Sequence, residues 1–493
     1  MRILKNYIGG KWRDSTGGRV QDMNPADLNE VVAEAPASTA AEAAQACEAA
    51  AEAYEGWRKT PAPVRGQILF KVQRRMEEDE RRQELAEALT REEGKTLKES
   101  NGELQRAINV VEFFAGEARR ITGETIPSEL PHNFCYTVKQ PVGPVAIITP
   151  WNFPVAIPIW KMAPALVAGN TVVFKPASLT PLTAALIAEI FEECGLPPGV
   201  LNLVFGGGRE VGNTIVNHPA IQAVSFTGSN DVGIGLYGAA AARGIKCQCE
   251  MGGKNPIVIL EDADLDLAVE SAVQGAFGST GQRCTATSRA VVVESIANEF
   301  LERLEARTAS IVVGNGLHPS TTIGPAVDES QMDTVLSYVD IGKREGARLV
   351  TGGTRLEGDG RERGYFVSPA IFDRVDPGMR IAQEEIFGPV LSIIRVPDNG
   401  AALSVANGVR FGLSASIYTS DVASMFRFVD RLDAGIIHVN SPTVGGEAHI
   451  PFGGMKATGV GLREMGRVAI DFYTELKVVY VDYTGDSRTT NFY

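Results

Sequence analysis

Three short segments of this 493-residue chain carry side chains suited to acyl-transfer chemistry. Cys284 sits in Gly278-Ser279-Thr280-Gly281-Gln282-Arg283-Cys284-Thr285-Ala286, a small and polar run with no apolar period. A structural cysteine is usually a small apolar core residue, whereas the neighbours here leave a thiol reachable. Arg283 stands next to it, and a nearby cation lowers a thiol pKa and raises the thiolate fraction. Glu250 opens Glu250-Met251-Gly252-Gly253-Lys254-Asn255-Pro256. Its glycines allow close approach of backbone to a ligand, and Asn-Pro breaks regular structure. A carboxylate in that setting can serve as general base toward a thiol or a water. Asn152 lies in Thr149-Pro150-Trp151-Asn152-Phe153-Pro154, after the apolar run 142–148 that reads as a buried strand. Held between aromatic residues and prolines, its amide is a rigid donor for a developing oxyanion. Each segment also has a plain structural reading: a core thiol, a solvated loop glutamate, an asparagine that satisfies turn backbone.

A fourth segment, Phe226-Thr227-Gly228-Ser229-Asn230-Asp231-Val232-Gly233, follows a strand pattern and opens a helix. Free N–H groups at a helix start favour a phosphate. The glycine spacing is G-x-x-x-x-G and not the G-x-G-x-x-G of ordinary dinucleotide folds. As a bare pattern it is weak.

Taken in order, these segments resemble the aldehyde dehydrogenase superfamily. The nucleophile motif matches at Gly281-Gln282-Arg283-Cys284. The general-base motif matches at Glu250–Lys254, with Met251 for the usual Leu, and the oxyanion Asn matches at Asn152. Base and nucleophile stand 34 residues apart, as in the family. The likeness runs from Asn6-Tyr7-Ile8-Gly9-Gly10 to Phe472-Tyr473-Thr474. It implies Cys284 as nucleophile, Glu250 as base, Asn152 as oxyanion donor and Lys161 as electrostatic support. It also implies a cofactor groove formed by Ile148, Thr149, Pro150, Trp151, Phe226, Thr227, Val232, Met251 and Gly252. In that groove Gly228, Ser229 and Gly233 lie near the pyrophosphate, and Gly208, Arg209 and Gly212 contribute nearby. Glu385 would bind the nicotinamide ribose and Phe387 would pack beside the ring. Lys175 would take the adenine-side ribose. Three residues later, members that prefer NAD usually carry Glu, and this chain has Ser178. A carboxylate would repel a 2′-phosphate, whereas serine leaves room and offers a donor. Arg209 adds positive charge nearby. NADP is therefore the expected cofactor, with NAD also accepted.

Composition bounds the rest. Net charge is −13, which argues against a nucleic-acid partner. Six cysteines (47, 135, 194, 247, 249, 284) and five scattered histidines give no metal-ligand spacing, so no metal is expected. Few cysteines at this length fit reduced thiols and a cytoplasmic setting. The N-terminus lacks a signal-peptide core. The longest apolar stretch, 141–160, holds prolines at 141, 144, 150, 154 and 158, so it cannot be a membrane helix.

The length calls for more than one domain. Short strands and turns are expected over 1–35. A capping box at Thr39-Ala40-Ala41-Glu42 should open an Ala-rich helix ending near Trp57. Helical patterning runs from about 64 to 93 and from about 97 to 120, and a β-hairpin is expected at 121–141. From 142 to 252, strand patterns at 145–148, 171–174, 200–204 and 223–226 alternate with helices, the pattern of a parallel α/β sheet. A second alternating block covers 255–450. The family likeness implies an α/β fold with two parallel-sheet domains. The Rossmann-like cofactor domain would take 1–120 and 142–252, the catalytic domain 253–452. A β oligomerisation arm would join 121–141 to 453–493. A homo-oligomer, dimer or tetramer, is implied, because in the family the hairpin extends a neighbour's sheet.

The expected reaction is oxidation of an aldehyde to a carboxylic acid through a thiohemiacetal and a thioester on Cys284. Phe153, Ala156, Trp160, Arg283, Thr285 and the 441–452 loop ending at Phe452 should wall the substrate pocket. The Thr-Ala-Thr run after Cys284 and the Pro442-Thr443-Val444-Gly445-Gly446-Glu447 loop resemble bacterial 2,5-dioxovalerate (2-oxoglutarate semialdehyde) dehydrogenases. No carboxylate clamp is evident apart from Arg283. A broad aliphatic or aromatic aldehyde oxidiser is the main alternative. A non-phosphorylating glyceraldehyde-3-phosphate dehydrogenase would want an Arg cluster for the phosphate. Cys, base and oxyanion donor would also suffice for a cofactor-free thiol esterase, which has no use for a dinucleotide cradle. A non-catalytic structural protein on the same fold would not need the three residues intact.

Overall fold

The computed structural model describes residues 1–485 and 487. Five parallel strands form the centre of an eight-stranded sheet. Their order is Lys246–Glu250, Ala223–Thr227, Val145–Ile148, Val172–Lys175 and Leu201–Leu203. Val145–Ile148 and Ala223–Thr227, neighbours in space but not in sequence, mark the point where strand order reverses. All four residues of Val145–Ile148 are buried, because helices cover both faces of the sheet and no polar alternation is needed. The N-terminal strands Asn6–Ile8 and Lys11–Arg13 close one edge in antiparallel fashion.

The capping box forms as expected. The Thr39 hydroxyl accepts from the Glu42 N–H and Glu42 accepts from the Thr39 N–H, opening the helix Ala40–Lys59. The 64–93 segment is two helices, Ala62–Glu77 and Asp79–Glu93, because Glu78 turns to extended backbone between them. Apolar periodicity continues across that break, so the sequence pattern does not register it.

A second, seven-stranded sheet begins immediately after the first. Asn255–Ile259 and Thr287–Val293 lie parallel at its centre. Pro256 is tolerated in a central strand because the register shifts there, pairing Asn255 with Thr287 and Pro256 with Arg289. The carboxyl ends of the first sheet therefore face the amino ends of the second. That places the segments after residues 148, 227 and 250 against the segment before residue 287.

Residues 121–141 and the C-terminal segment do form a separate antiparallel sheet. Thr474–Asp482 pairs along the whole of Asn133–Pro141, with Thr125–Ile126 outside it. The segment from 453 onward does more than build this arm. Gly459–Val460 is an edge strand of the first sheet beside Lys246–Glu250, and Met455–Lys456 pairs with Phe411–Gly412. Two-residue strands carry too little alternation to read from sequence. The last residues of 453–493 lie outside the described residues. No helix among the described residues is long and apolar enough to cross a membrane.

Candidate active site

Cys284 stands on a loop held in an uncommon conformation. After the helix Leu265–Phe277 the chain makes one tight turn in which Ser279, Thr280 and Gly281 have φ of 49°, 57° and 69°. Non-glycine residues rarely adopt such angles, and each costs about 1–3 kcal/mol unless the surroundings impose it. The surroundings do so here. The Ser279 N–H donates to Glu99 over 2.6 Å and the Thr280 hydroxyl to the Gly324 carbonyl over 3.0 Å. Gln282 accepts from the Val327 N–H at 2.9 Å. A Cβ at Gly281 would collide with the Gly388 carbonyl. Asn255 donates to the carbonyls of Cys284 and Ala286 at 2.8 and 2.9 Å, tying the loop to the second sheet.

Asn152 follows the buried strand Val145–Ile148, and its amide donates to the Gln282 carbonyl over 3.0 Å. Its own carbonyl accepts from Lys95 at 2.6 Å. Lys95 is fully buried and paired with Glu103 at 2.7 Å. Glu103 in turn accepts from the N–H groups of Val155 and Ala156, the free first donors of the helix Ala156–Ala168. A buried ion pair thus fixes the loop that carries Asn152. Neither Lys95 nor Glu103 stands out in the sequence, where both read as helix-end and helix-face charges.

The Cys284 thiol and the Glu250 carboxyl are held in a medium that disfavours charge. Burial, then Glu385 and Glu250, pushes the Cys284 thiol up to about 12, while Arg106 and the Thr285 N–H pull it down. Arg283 is not the neighbouring cation that the sequence implied. Its guanidinium is turned to Ser279 (2.9 and 3.0 Å) and Glu99 (3.5 Å) and lines a different cleft. Sequence adjacency does not fix side-chain direction in a turn this tight. The Glu250 carboxyl is raised well above its ordinary value by burial and by Glu464. It rests against Gly453, Gly454 and Gly459, and accepts from the Gly454 N–H at 3.3 Å. Lys161 does not line the cleft at Cys284. It pairs with Glu464 and donates to Ser225 at 3.0 Å, and its charge lowers the Glu250 carboxyl. Glu464, which also accepts from the Trp160 indole at 2.7 Å, was not legible in the sequence.

A cleft of about 240 Å³ brings Pro150, Trp151, Asn152, Thr227, Met251 and Cys284 together with Gly228, Ser229, Gly252, Glu385 and Phe387. Ser229 caps the helix Asn230–Ala242 without a side-chain bond, leaving N–H groups of its first turn free. Added Cβ atoms would fill this space. One at Gly233 would lie 2.5 Å from the Met251 sulfur, and one at Gly252 would strike the Glu385 carboxylate. Glu385 accepts from the Gly253 N–H at 3.0 Å. Phe387, at φ 58°, stands edge-on to Trp151 with centroids 5.4 Å apart. Gln331, absent from the sequence reading, holds that loop by donating to the carbonyls of Ile386 and Phe387, each at 3.0 Å. The hydroxyls of Thr149 and Thr227 are buried without a partner among the described residues. Open helix N–H groups, side-chain-free glycines and orphaned hydroxyls fit a dinucleotide.

Farther along, Ile148 is buried and Val232 is exposed. Lys175 donates to the Pro176 carbonyl at 2.9 Å, and burial lowers its ammonium to about 8. The turn Gly208–Gly212 reaches it, since a Cβ at Gly212 would lie 3.7 Å from the Lys175 side chain. Ser178 and Arg209 are both exposed.

On the other side of Cys284, Phe153 lies under Lys95 (4.1 Å), and Trp160 packs on Phe452 with centroids 5.4 Å apart. Thr285 is buried, with its carbonyl accepting from Thr443 at 2.7 Å. Arg106 covers the Trp160 ring at 5.2 Å. The sequence reading missed Arg106, because an Arg in an amphipathic helix reads as a solvent-facing residue.

The model of the aldehyde dehydrogenase family matches residues 12–479. The alpha-ketoglutaric semialdehyde dehydrogenase of Bacillus subtilis is 49% identical, over 97% of this chain and 97% of its own. The alpha-ketoglutarate semialdehyde dehydrogenase of Haloferax volcanii is 46% identical, over 97% and 99%. The crystal structure of betaine aldehyde dehydrogenase from Staphylococcus aureus in complex with NAD+ superposes with a TM-score of 0.95 at 35% identity, covering 99% of this chain and 96% of that one. The chain belongs to the aldehyde dehydrogenase family and is an NAD(P)-dependent aldehyde oxidoreductase.

Proposed function

We propose that the enzyme oxidises 2-oxoglutarate semialdehyde to the dicarboxylic acid, taking NADP and also NAD. The observation that carries the chemistry is a single cleft where Cys284 and Asn152 meet Gly252, Glu385 and Phe387. The substrate rests on the likeness to the two semialdehyde dehydrogenases.

In this reading the Cys284 thiolate attacks the aldehyde carbon. An amide nitrogen carries two N–H bonds, and Asn152 spends one on Gln282. The second meets the oxyanion together with the Cys284 backbone N–H. Gly228, Ser229, Gly233, Lys175 and Glu385 would hold the dinucleotide, which would supply a hydride acceptor. As the oxyanion re-forms the carbonyl, the carbon gives up its hydrogen with the bonding pair to that acceptor and keeps its bond to sulfur, leaving a thioester on Cys284. Glu250 then takes a proton from water, a step its raised basicity favours. Water adds to the thioester, the thiolate departs and the acid is released. Lys161 and Glu464 act through Glu250 by setting its charge balance.

Ser178 in place of a carboxylate, with Arg209 likewise exposed, supports acceptance of a 2′-phosphate. Exposed Leu476, Val478 and Tyr480 on the outer strand of the arm support a homo-oligomer. The test is steady-state kcat/KM for 2-oxoglutarate semialdehyde, succinic semialdehyde, hexanal and benzaldehyde, each with NADP and with NAD. A clear advantage for the oxo-acid with NADP at least matching NAD is expected. A flat profile favouring hexanal or benzaldehyde overturns the substrate, and failure with NADP overturns the cofactor reading.

A further inference from the structure

Arg106 lies on the helix Leu97–Glu117, whose Leu104, Ala107, Ile108 and Val111 are buried in the core. Its guanidinium sits 5.2 Å from the Trp160 ring centre and 6.0 Å from that of Phe452. One terminal nitrogen reaches the Met465 sulfur at 3.5 Å, and Nε is buried without a partner. Among the described residues no carboxylate forms an ion pair with it. Its nearest acid on the same helix, Glu103, is already taken by Lys95 and two backbone N–H groups. A largely buried guanidinium without a counter-ion is costly, since burial of charge requires pairing.

The same residue lines an open cleft of about 640 Å³ together with Phe113, Gly446, Ala448 and His449. The other charges there are committed or acidic. Arg120 pairs with Glu117, His449 stands 3.7 Å from Glu447, and Glu112 carries a negative charge. Arg106 is also the cation whose field reaches Cys284. A side chain at position 446 would press on its terminal nitrogen, because a Cβ there would lie 2.9 Å away. Glycine leaves that nitrogen open. Trp160 and Phe452 flank the guanidinium, whose fork suits a planar, two-oxygen anion.

We propose that Arg106 binds the distal carboxylate of the substrate and selects carboxylated over uncharged aldehydes. This rests on the oxo-acid semialdehyde reading above. It supplies the clamp that Arg283, turned toward Glu99, does not.

The experiment measures the ratio of kcat/KM for 2-oxoglutarate semialdehyde to that for pentanal, in the wild type, Arg106→Met and Arg106→Lys. Loss of the cation also changes thiol reactivity, but that change acts on both aldehydes and cancels in the ratio. Losing a charge-assisted bond should lower the ratio roughly 10–100-fold in Arg106→Met, chiefly through KM, with part recovered in Arg106→Lys. Glutarate, which cannot react, should compete with semialdehyde in the wild type and lose that ability in Arg106→Met. A wild type that prefers the semialdehyde while Arg106→Met keeps the same ratio overturns the role of Arg106 alone. A wild type without preference for the semialdehyde overturns the substrate reading and this inference with it. If Arg106→Met does not fold, failure of glutarate to compete in the wild type overturns the carboxylate site.

Discussion

The Asn152 amide donates to the Gln282 carbonyl over 3.0 Å, two residues before Cys284. Asn152 and the Cys284 loop are therefore one mechanical unit, although 130 residues separate the bonded pair. Asn152→Ala removes a transition-state donor and loosens the loop together. We expect kcat to fall about 10²–10³-fold, equivalent to about 2.7–4 kcal/mol. A fall of less than threefold would contradict the assignment.

Glu250→Gln should separate the two halves of the reaction. Stopped-flow absorbance is expected to show a burst of reduced cofactor close to one equivalent per site. Steady turnover should then be slower by about 10²–10⁴-fold, the usual contribution of general-base catalysis. Turnover like wild type would remove Glu250 from the mechanism.

The free enzyme's thiol should be mostly protonated at neutral pH, because burial and two acidic neighbours raise it to about 12. A raised pKa leaves a small thiolate fraction that grows about tenfold per pH unit below it. Iodoacetamide modification of Cys284, followed by peptide mass spectrometry without cofactor, should therefore keep accelerating from pH 7 through pH 9. A plateau near pH 7 would mean that Arg106 and the Thr285 N–H outweigh burial.

Lys95→Met breaks a buried pair and frees the Asn152 carbonyl. Removing one partner of such a pair costs about 3–5 kcal/mol. The denaturation midpoint should drop and kcat should fall with it. Glu103→Gln keeps an acceptor for the Val155 and Ala156 N–H groups but leaves the Lys95 ammonium with only Glu93 at 3.8 Å, and should lower the midpoint as well. Equal midpoints for Lys95→Met and wild type would show that the pair does not hold this loop.

Gly252→Ala places a methyl group on the Glu385 carboxylate. Cofactor KM should rise by more than about tenfold, since Glu385 must move or the alanine must displace backbone. Isothermal titration with each dinucleotide measures this without turnover. Unchanged affinity would place Glu385 outside the groove.

The sequence made the chemistry legible where chemistry and chain order coincide. Cys284, Glu250 and Asn152 each follow or precede a strand, in contiguous runs of small residues and turn formers. What remained hidden depends on pairs far apart in the chain. Lys95 meets Asn152, Glu99 turns Arg283 away from the thiol, and Glu464 meets Lys161 and Trp160. Each of those charges reads as a solvated helix or loop residue, because hydrophobic periodicity says nothing about which polar side chain is buried. Strand positions 145–148 matched as read, since a fully buried parallel strand is a continuous apolar run. Gly459–Val460 was too short to leave such a trace.

The central claim is that a covalent thioester forms on Cys284. The most direct measurement mixes Glu250→Gln enzyme with 2-oxoglutarate semialdehyde and cofactor, quenches in acid and weighs the peptides. The account predicts the acyl mass on the peptide that carries Cys284, only when cofactor is present. An unmodified Cys284 peptide during a full burst of reduced cofactor would contradict it.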